Sequence, residues 1–403
     1  MSEKWIRRLA LGALQCVVLT GLCAPAGANT TAAAEAAPGL VRIAVLLPLR
    51  STTLGGAADA VRAGVYAAFQ REPQGVTLQL IETDGGLPEL KEAYARASAD
   101  ADIIIGPLSR TEVGHIAQHA QVSKPTIALA SPDLEGARDG PPARLLMMGL
   151  SVEDEARHAA NWMNRSTPAG DAIVVATTTP WQQRAARAFS AEWQALGRSA
   201  HTVELGWSDG FLNSAQVAQL KKRLRPDTVL FAALDALQAG QLRNSVGREI
   251  AMVGTSQLNA LARRAEDPPL NASLGAPPGN KDSAASAASA ASAAGAARAS
   301  LDGVRLVDIP WQLQPDHAAV MVYPPLPETL GEPANADSAR LYALGIDAYR
   351  VAHALSEQGE RFEVDGVTGH LQVRFDAGAA RFERVLQGAM MRDGLAQPLR
   401  EGR

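Results

Sequence analysis

Short apolar runs alternate along this chain with longer stretches in which apolar residues recur every three or four positions. VRIAVLLPL is the first such run, and GGAADAVRAGVYAAFQ follows it with Ala57, Val61, Val65 and Ala68 on one face. The first pattern predicts a strand buried on both sides, and the second an amphipathic helix. The alternation continues through VTLQLIETD, LPELKEAYARASAD (with Pro88 at the helix start), ADIIIGPL, SRTEVGHIAQHAQVS and KPTIALAS. Continuous apolar strands separated by helices predict a parallel sheet covered on both faces.

The pattern restarts at RLLMMGLS. VEDEARHAANWMNR opens on acidic residues, which helix N-termini favour. DAIVVATTT, QQRAARAFSAEWQALG, HTVELG, NSAQVAQLKKRL, DTVLFAAL, DALQAGQLRNSVG and IAMVGTS then complete a second unit of the same kind. The expected fold class is α/β, with two doubly wound lobes of similar size. Residues 264–300 break the rhythm. They begin with proline and glycine and become a Ser-Ala-Ala repeat with nothing larger than alanine to bury, so a flexible, disordered insertion is expected in the second lobe. Order is expected again in LDGVRLVDIPWQLQPD, read as a strand, and in the helix SARLYALGIDAYRVAHAL. The tail FEVDGVTGHLQVRFDAGAARFERVLQGAMM reads as two short strands around a turn and then a third.

The N-terminus places the chain in a compartment. Lys4, Arg7 and Arg8 precede the apolar run 9–22, which is too short to span a bilayer comfortably. Ala26 and Ala28 form an A-x-A site, so 1–28 is expected to be a signal peptide cut near Ala28, with 29–40 a flexible mature N-terminus. The product is expected to be soluble in the periplasm. Cys23, in LTGLC, gives a competing outer-membrane lipoprotein reading, against which stands the large Leu22 before it. Both cysteines, Cys16 and Cys23, lie in the signal, so after cleavage at Ala28 no thiol, disulfide or cysteine metal site is expected. Losing three cations and one anion (Glu3) takes the net charge from −4 to −6. With no basic stripe, nucleic acid is not an expected partner, and no other stretch is apolar enough to cross a membrane.

Ligands of open α/β sheets collect outside the carboxyl ends of the strands. That rule selects Arg50 and Ser51 after the first strand, then Ser109, Thr111, Ser131 and Asp133 in the first lobe. Thr178, Thr179, Trp181, Ser256 and Gln257 are the matching positions in the second. Helix N-termini beside them could receive an anion. Equally, Ser, Thr and Asp at such places serve as helix caps. His115 and His119 share a helix face, but no glutamate of an H-E-x-x-H pattern lies between them, so no metal is expected. Phosphate-loop and nucleophile-elbow motifs are absent, and no catalytic constellation or cofactor is expected. Trp162 and Trp193 fall in amphipathic helices and read as core. Trp181, Trp207 and Trp311 lie at strand ends or in a connection, where they either line a cleft, anchor a protein partner or are buried between the lobes.

The order of elements resembles that of type I periplasmic binding proteins, in which hinge strands join two Rossmann-like lobes. The tail resembles the final hairpin of the branched-chain amino-acid binders among them. More narrowly, IAVLLPL, IIGPL, VEDEARHAANWM, LDGVRLVDIPWQLQPD and RLYALGIDAYRVAHAL resemble the LppC/LpoA-type penicillin-binding protein activator family, over about 41–398. The resemblance implies three crossings, near Gly149–Ser151, Pro310–Gln314 and Gln358–Phe362, with Gly149, Ser151, Pro310 and Trp311 in the hinge. Lobe 1 would be 41–148 plus about 312–357, and lobe 2 would be 151–310 plus about 360–398. It also implies a non-catalytic periplasmic regulator that binds and stimulates a class A penicillin-binding protein in peptidoglycan synthesis. The alternative is a periplasmic solute-binding protein that delivers an amino acid or short peptide, held in the cleft, to an ABC transporter. Members of the family carry an N-terminal helical-repeat domain and a lipid anchor. The repeat domain is not expected here, because only residues 29–40 separate the expected cut from the first strand, and Leu22 before Cys23 departs from the pattern of a lipid-attachment site.

Overall fold

The computed structural model describes residues 39–132, 141–166, 170–259, 299–327, 336–375 and 380–399. The expected signal peptide, residues 29–38, Asp133 and residues 264–298 of the expected insertion lie outside the described residues.

The first half forms β1 (Val41–Leu47), α1 (Gly55–Arg71), β2 (Val76–Glu82), α2 (Leu87–Asp100), β3 (Ile103–Ile105), α3 (Arg110–His119), β4 (Thr126–Ala128) and β5 (Leu145–Met147). These strands make one parallel sheet in the order β2-β1-β3-β4-β5. The unbroken apolar run from Ile43 to Leu47 in β1 has a direct cause. Ile43, Val45 and Leu47 point to one core, while Ala44 and Leu46 point to another, shared with Leu90 and Tyr94 of α2 and Ile116 of α3. Successive side chains of a strand face opposite ways, so burial of both faces demands an apolar residue at each position.

The second half forms α4 (Val152–Ser166), β6 (Ala172–Ala176), α5 (Pro180–Ala195), β7 (Ala200–Glu204), a small ribbon of β8 (Trp207–Ser208) and β9 (Phe211–Leu212), α6 (Ser214–Lys221), β10 (Val229–Ala232), α7 (Ala236–Val246) and β11 (Ala251–Gly254). After the insertion come β12 (Arg305–Asp308), the helical turn α8 (Pro310–Leu313), α9 (Ala336–Gln358), β13 (Arg361–Asp365), β14 (His370–Phe375), β15 (Ala380–Val385), β16 (Gln387–Arg392) and β17 (Leu395–Pro398). A seven-stranded sheet runs β17-β16-β12-β11-β10-β6-β7. It is parallel from β7 to β12 and antiparallel at β16 and β17.

Two elements differ from the sequence expectation. Residues 301–316 are not one strand. β12 stops at Asp308, and Pro310, which has no N–H to give a ladder, starts α8 instead. The tail holds four strands, β13 to β16, rather than three, and β17 follows it. β13–β15 make an antiparallel sheet of their own, and of residues 360–398 only β16 and β17 lie in the seven-stranded sheet.

The helix α9 is mostly buried, although it carries Arg340, Asp347 and His353. It lies against α1 at a very close crossing. A Cβ built on Gly64 would stand 2.0 Å from the Tyr342 carbonyl oxygen, and one on Gly345 would stand 2.1 Å from that of Val61. Backbone is in the way at both places, so a methyl group would push the helices apart. Gly345→Ala is expected to cost about 1–3 kcal/mol in urea unfolding, the usual range for overpacking; an unchanged midpoint would mean that the crossing is looser than described.

Candidate functional site

The connections between the two large sheets are held by charged groups in an otherwise apolar interior. Asp308, at the end of β12, is fully buried. It accepts from Arg340 of α9 through Nε to Oδ1 at 3.1 Å and Nη2 to Oδ2 at 2.7 Å. Arg340 Nη2 also donates to the Ser256 carbonyl at 3.1 Å, and Asn259 donates to Asp308 Oδ2 at 2.8 Å. Glu155, in the first turns of α4, closes the group by accepting from Ser256 N at 2.8 Å and Ser256 Oγ at 3.0 Å. Burial works against charge on Arg340, but Asp308 beside it more than offsets that, and its pKa is raised. Glu155 is pushed up to about 7, first by burial and then by the negative charge of Asp308; the Ser256 bonds and Arg340 oppose this only in part.

Two turns along α9, on the same face as Arg340, Asp347 takes the next connection. It accepts from Val367 N at 3.0 Å, Thr368 N at 2.7 Å and Thr368 Oγ1 at 2.6 Å, in the turn between β13 and β14. The Val367 carbonyl in turn accepts from Trp311 N at 2.9 Å, and the Trp311 ring meets Tyr342 edge-on at 5.3 Å. Arg384 of β15 donates to the carbonyls of Met148 at 2.8 Å and Gly149 at 3.1 Å, just after β5. Its Nε donates to Thr368 Oγ1 at 3.1 Å. Burial lowers the Arg384 pKa to about 10, which leaves it charged at neutral pH.

The residues chosen from the strand ends are dispersed. Arg50 gives its guanidinium to Glu89 of α2. Ser51 accepts from Leu54 N before α1, and Ser109 makes a reciprocal capping box with Glu112. Thr111 is exposed on α3, and Thr178 is exposed ahead of α5. Thr179 caps α5 by position, with its hydroxyl 3.0 Å from that of Thr177, and Trp181 is half-buried in the first turn. Ser256 belongs to the Glu155 group, and Gln257 beside it is half-buried. Gly149 packs so closely on Ala130 that a Cβ would stand 2.5 Å from its Cα. Ser151 accepts from Asp154 N and donates to Glu153, while Pro310 opens α8. The histidines of α3, His115 and His119, meet with ring centroids 4.8 Å apart and planes tilted by 51°. Among the described residues no group of three or more His, Cys, Asp or Glu could hold a metal ion.

Ser131 and Ser151 come together in a groove of about 760 Å³ between α4, α5, the loop after β4 and β15. Arg110 of α3 and Arg184 of α5 both reach Glu153 Oε1 there, at 3.4 and 2.8 Å. Burial disfavours the Glu153 carboxylate, but its own backbone N–H, the Ser151 hydroxyl and the two arginines prevail and hold its pKa below the usual range. Arg110 and Arg184 with Glu153, and Arg157 with Asp154, are thus already paired within the groove.

Sequence reasoning passed over Glu155, Asp308, Arg340, Asp347 and Arg384. The available signal was a charge inside an apolar run, as in LVDIP and LGIDAY.

A family model described as "LppC putative lipoprotein" matches residues 35–394. The penicillin-binding protein activator LpoA of Edwardsiella ictaluri is 28% identical over 305 residues, which make up 71% of this chain and 42% of that protein. The chain thus spans less than half the length of this curated relative. A solved structure from Chromobacterium violaceum, described as a "putative branched-chain amino acid ABC transporter", is 31% identical with a TM-score of 0.62, covering 87% of this chain and 100% of its own. The C-domain of LpoA from Haemophilus influenzae, described as a regulator of PBP1A, is 21% identical with a TM-score of 0.64, covering 89% and 99%. The shared fold is the expected two-lobed α/β arrangement of type I periplasmic binding proteins. Among the described residues no helix is long and apolar enough to cross a membrane.

The elevated pKa of Glu155 has a measurable consequence. Its pKa is raised on folding, from an unperturbed 4.5 to about 7, so its contribution is fully present below about pH 4.5 and is lost as pH rises through 7. A loss on the order of 3 kcal/mol is expected across that window. Glu155→Gln should flatten this part of the stability profile, measured by urea unfolding between pH 5 and pH 8; an undiminished slope in the variant would assign it to other groups.

Proposed function

The chain belongs to the LppC family, and from that premise we propose that it is a non-catalytic regulator that binds a class A penicillin-binding protein and raises its peptidoglycan synthase activity. One observation carries the reading beyond the family itself. The two stretches that most resemble the activators, LVDIPWQL and SARLYALGIDAYR, meet in the buried junction through Asp308 and Arg340 and through Trp311 and Tyr342. The residues that mark the family hold the lobes together, and three of the strand-end residues that could have met a solute, Arg50, Ser51 and Ser109, sit in an ion pair or cap helices instead. That suits a scaffold whose outer surface is read by a partner. The limits taken from the resemblance, 41–148 plus about 312–357 and 151–310 plus about 360–398, are part of this reading. So are export to the periplasm and cleavage near Ala28, with lipid attachment at Cys23 as the competing route that the family's description favours.

The second reading, a solute receptor for an amino acid or short peptide, is favoured by the description of the Chromobacterium violaceum structure and by the groove at Ser131 and Ser151. The two separate in one titration, of the chain from Asn29 onward against the purified class A synthase of the same organism, with glycan polymerisation followed in parallel. Saturable binding with faster polymerisation is expected. No binding at tens of micromolar, roughly −6 kcal/mol or weaker, together with an upward thermal shift from an amino acid or peptide, would move the assignment to the receptor.

A further inference from the structure

The chain leaving β7 does not enter α6 directly. It first makes the ribbon β8–β9, closed by Asp209 and Gly210 at φ 52° and 80°. Two successive left-handed residues make a type I′ turn, the tightest hairpin connection. The base of the ribbon is fixed from both sides. Gln216 Oε1 accepts from Gly206 N at 2.7 Å, and the Gly206 carbonyl accepts from Asn213 N at 2.9 Å. Gln241 of α7 holds β9 and the turn, accepting from Leu212 N at 3.0 Å and donating to the Gly210 carbonyl at 2.7 Å. Leu212 is buried in the core of the seven-stranded unit.

A segment built this firmly nevertheless presents its aromatic residues to water. Phe211 is 68% exposed and Trp207 38%. Leu237, one helical turn before Gln241 on the same side of α7, is 41% exposed. Trp207 pairs with Leu212 and Ser208 with Phe211, so the two aromatics stand on opposite faces of the ribbon and Phe211 projects from the face away from buried Leu212. A phenylalanine presented to water on a backbone fixed this firmly has the rigidity of a binding anchor. The backbone is already ordered, so little conformational freedom is lost on docking. The charge around the anchor narrows the partner. ELGWSDGFLN, residues 204–213, carries Glu204 and Asp209 and no lysine or arginine. Anionic lipid and nucleic acid are therefore repelled at the tip, and a cationic border is attracted.

We propose that the ribbon Trp207–Leu212 is a docking finger that inserts Phe211 into an apolar socket bordered by Lys and Arg on a partner protein. In the reading above that partner is the class A synthase, and its identity here rests on that reading. The test titrates the wild-type chain, Phe211→Ala, Asp209→Asn and Met321→Ala against the purified synthase. Asparagine tolerates the left-handed turn, and Met321 is equally exposed but far along the chain. Phe211→Ala should weaken binding about tenfold or more with its thermal midpoint within about 1 °C of wild type. Asp209→Asn should weaken it less and reduce its salt dependence, while Met321→Ala should leave it unchanged. If the wild type binds and Phe211→Ala binds equally well, the finger is overturned and the regulator reading stands. If the wild type does not bind, both fall. Association with phosphatidylglycerol vesicles that is lost in Phe211→Ala and strengthened in Asp209→Asn would assign the finger to a membrane and overturn the protein socket.

Discussion

The ion pair between Arg340 and Asp308 is the interaction on which the rest of the architecture depends. Taking both charges out of water is expensive, and their attraction repays that only when the geometry is good and the remaining donors and acceptors are satisfied. Both conditions are met here. The pair is bidentate, Asn259 and the Ile309 N–H complete the carboxylate, and the Ser256 carbonyl and Asp337 complete the guanidinium. Removing either partner alone would strand a buried charge, at a cost of about 3–5 kcal/mol. What the pair provides is a defined position for β12, where the chain passes from one sheet to the other.

The neighbouring groups extend that position to the other connections. Asp347 lies on the same face of α9 as Arg340 and anchors the turn of β13 and β14, and Arg384 ties β15 to the end of β5. Charged side chains thus meet the chain where it leaves β12 and β5 and at the turn between β13 and β14, each with its hydrogen-bond partners in place. A hinge that closes on a solute needs a connection free to change its backbone angles. Here each connection is cross-bonded to the next, which favours one arrangement of the lobes over a cycle of opening and closing. Glu155 sits at the edge of this network with a pKa of about 7, so the network loses strength where that carboxyl ionises.

Much of the fold was legible in the sequence because it rests on periodicity. β1 reads as buried on both faces because Ile43 to Leu47 are apolar without a break, and α4 announces its start with Glu153, Asp154 and Glu155. The strand end at Pro310 was misread because the apolar pattern of LVDIPWQL continues past the proline although the ladder cannot. The junction was not legible at all. Asp308, Arg340 and Asp347 are isolated charges in apolar runs, and periodicity alone treats them as imperfections. Their meaning lies in pairing across long separations, as between Glu155 and Ser256, which no local pattern reports. The strand-end rule marked where the chain turns, but Ser, Thr and Asp at a turn have the same local signature whether they cap a helix or meet a ligand, and Ser109 illustrates the first.

The central claim is that the junction holds the two lobes in one arrangement. Small-angle X-ray scattering of the chain from Asn29, recorded with and without saturating amino acids and short peptides, tests it most directly. The account predicts one radius of gyration and one distance distribution under all these conditions. A ligand-dependent compaction would contradict it and show that the hinge moves.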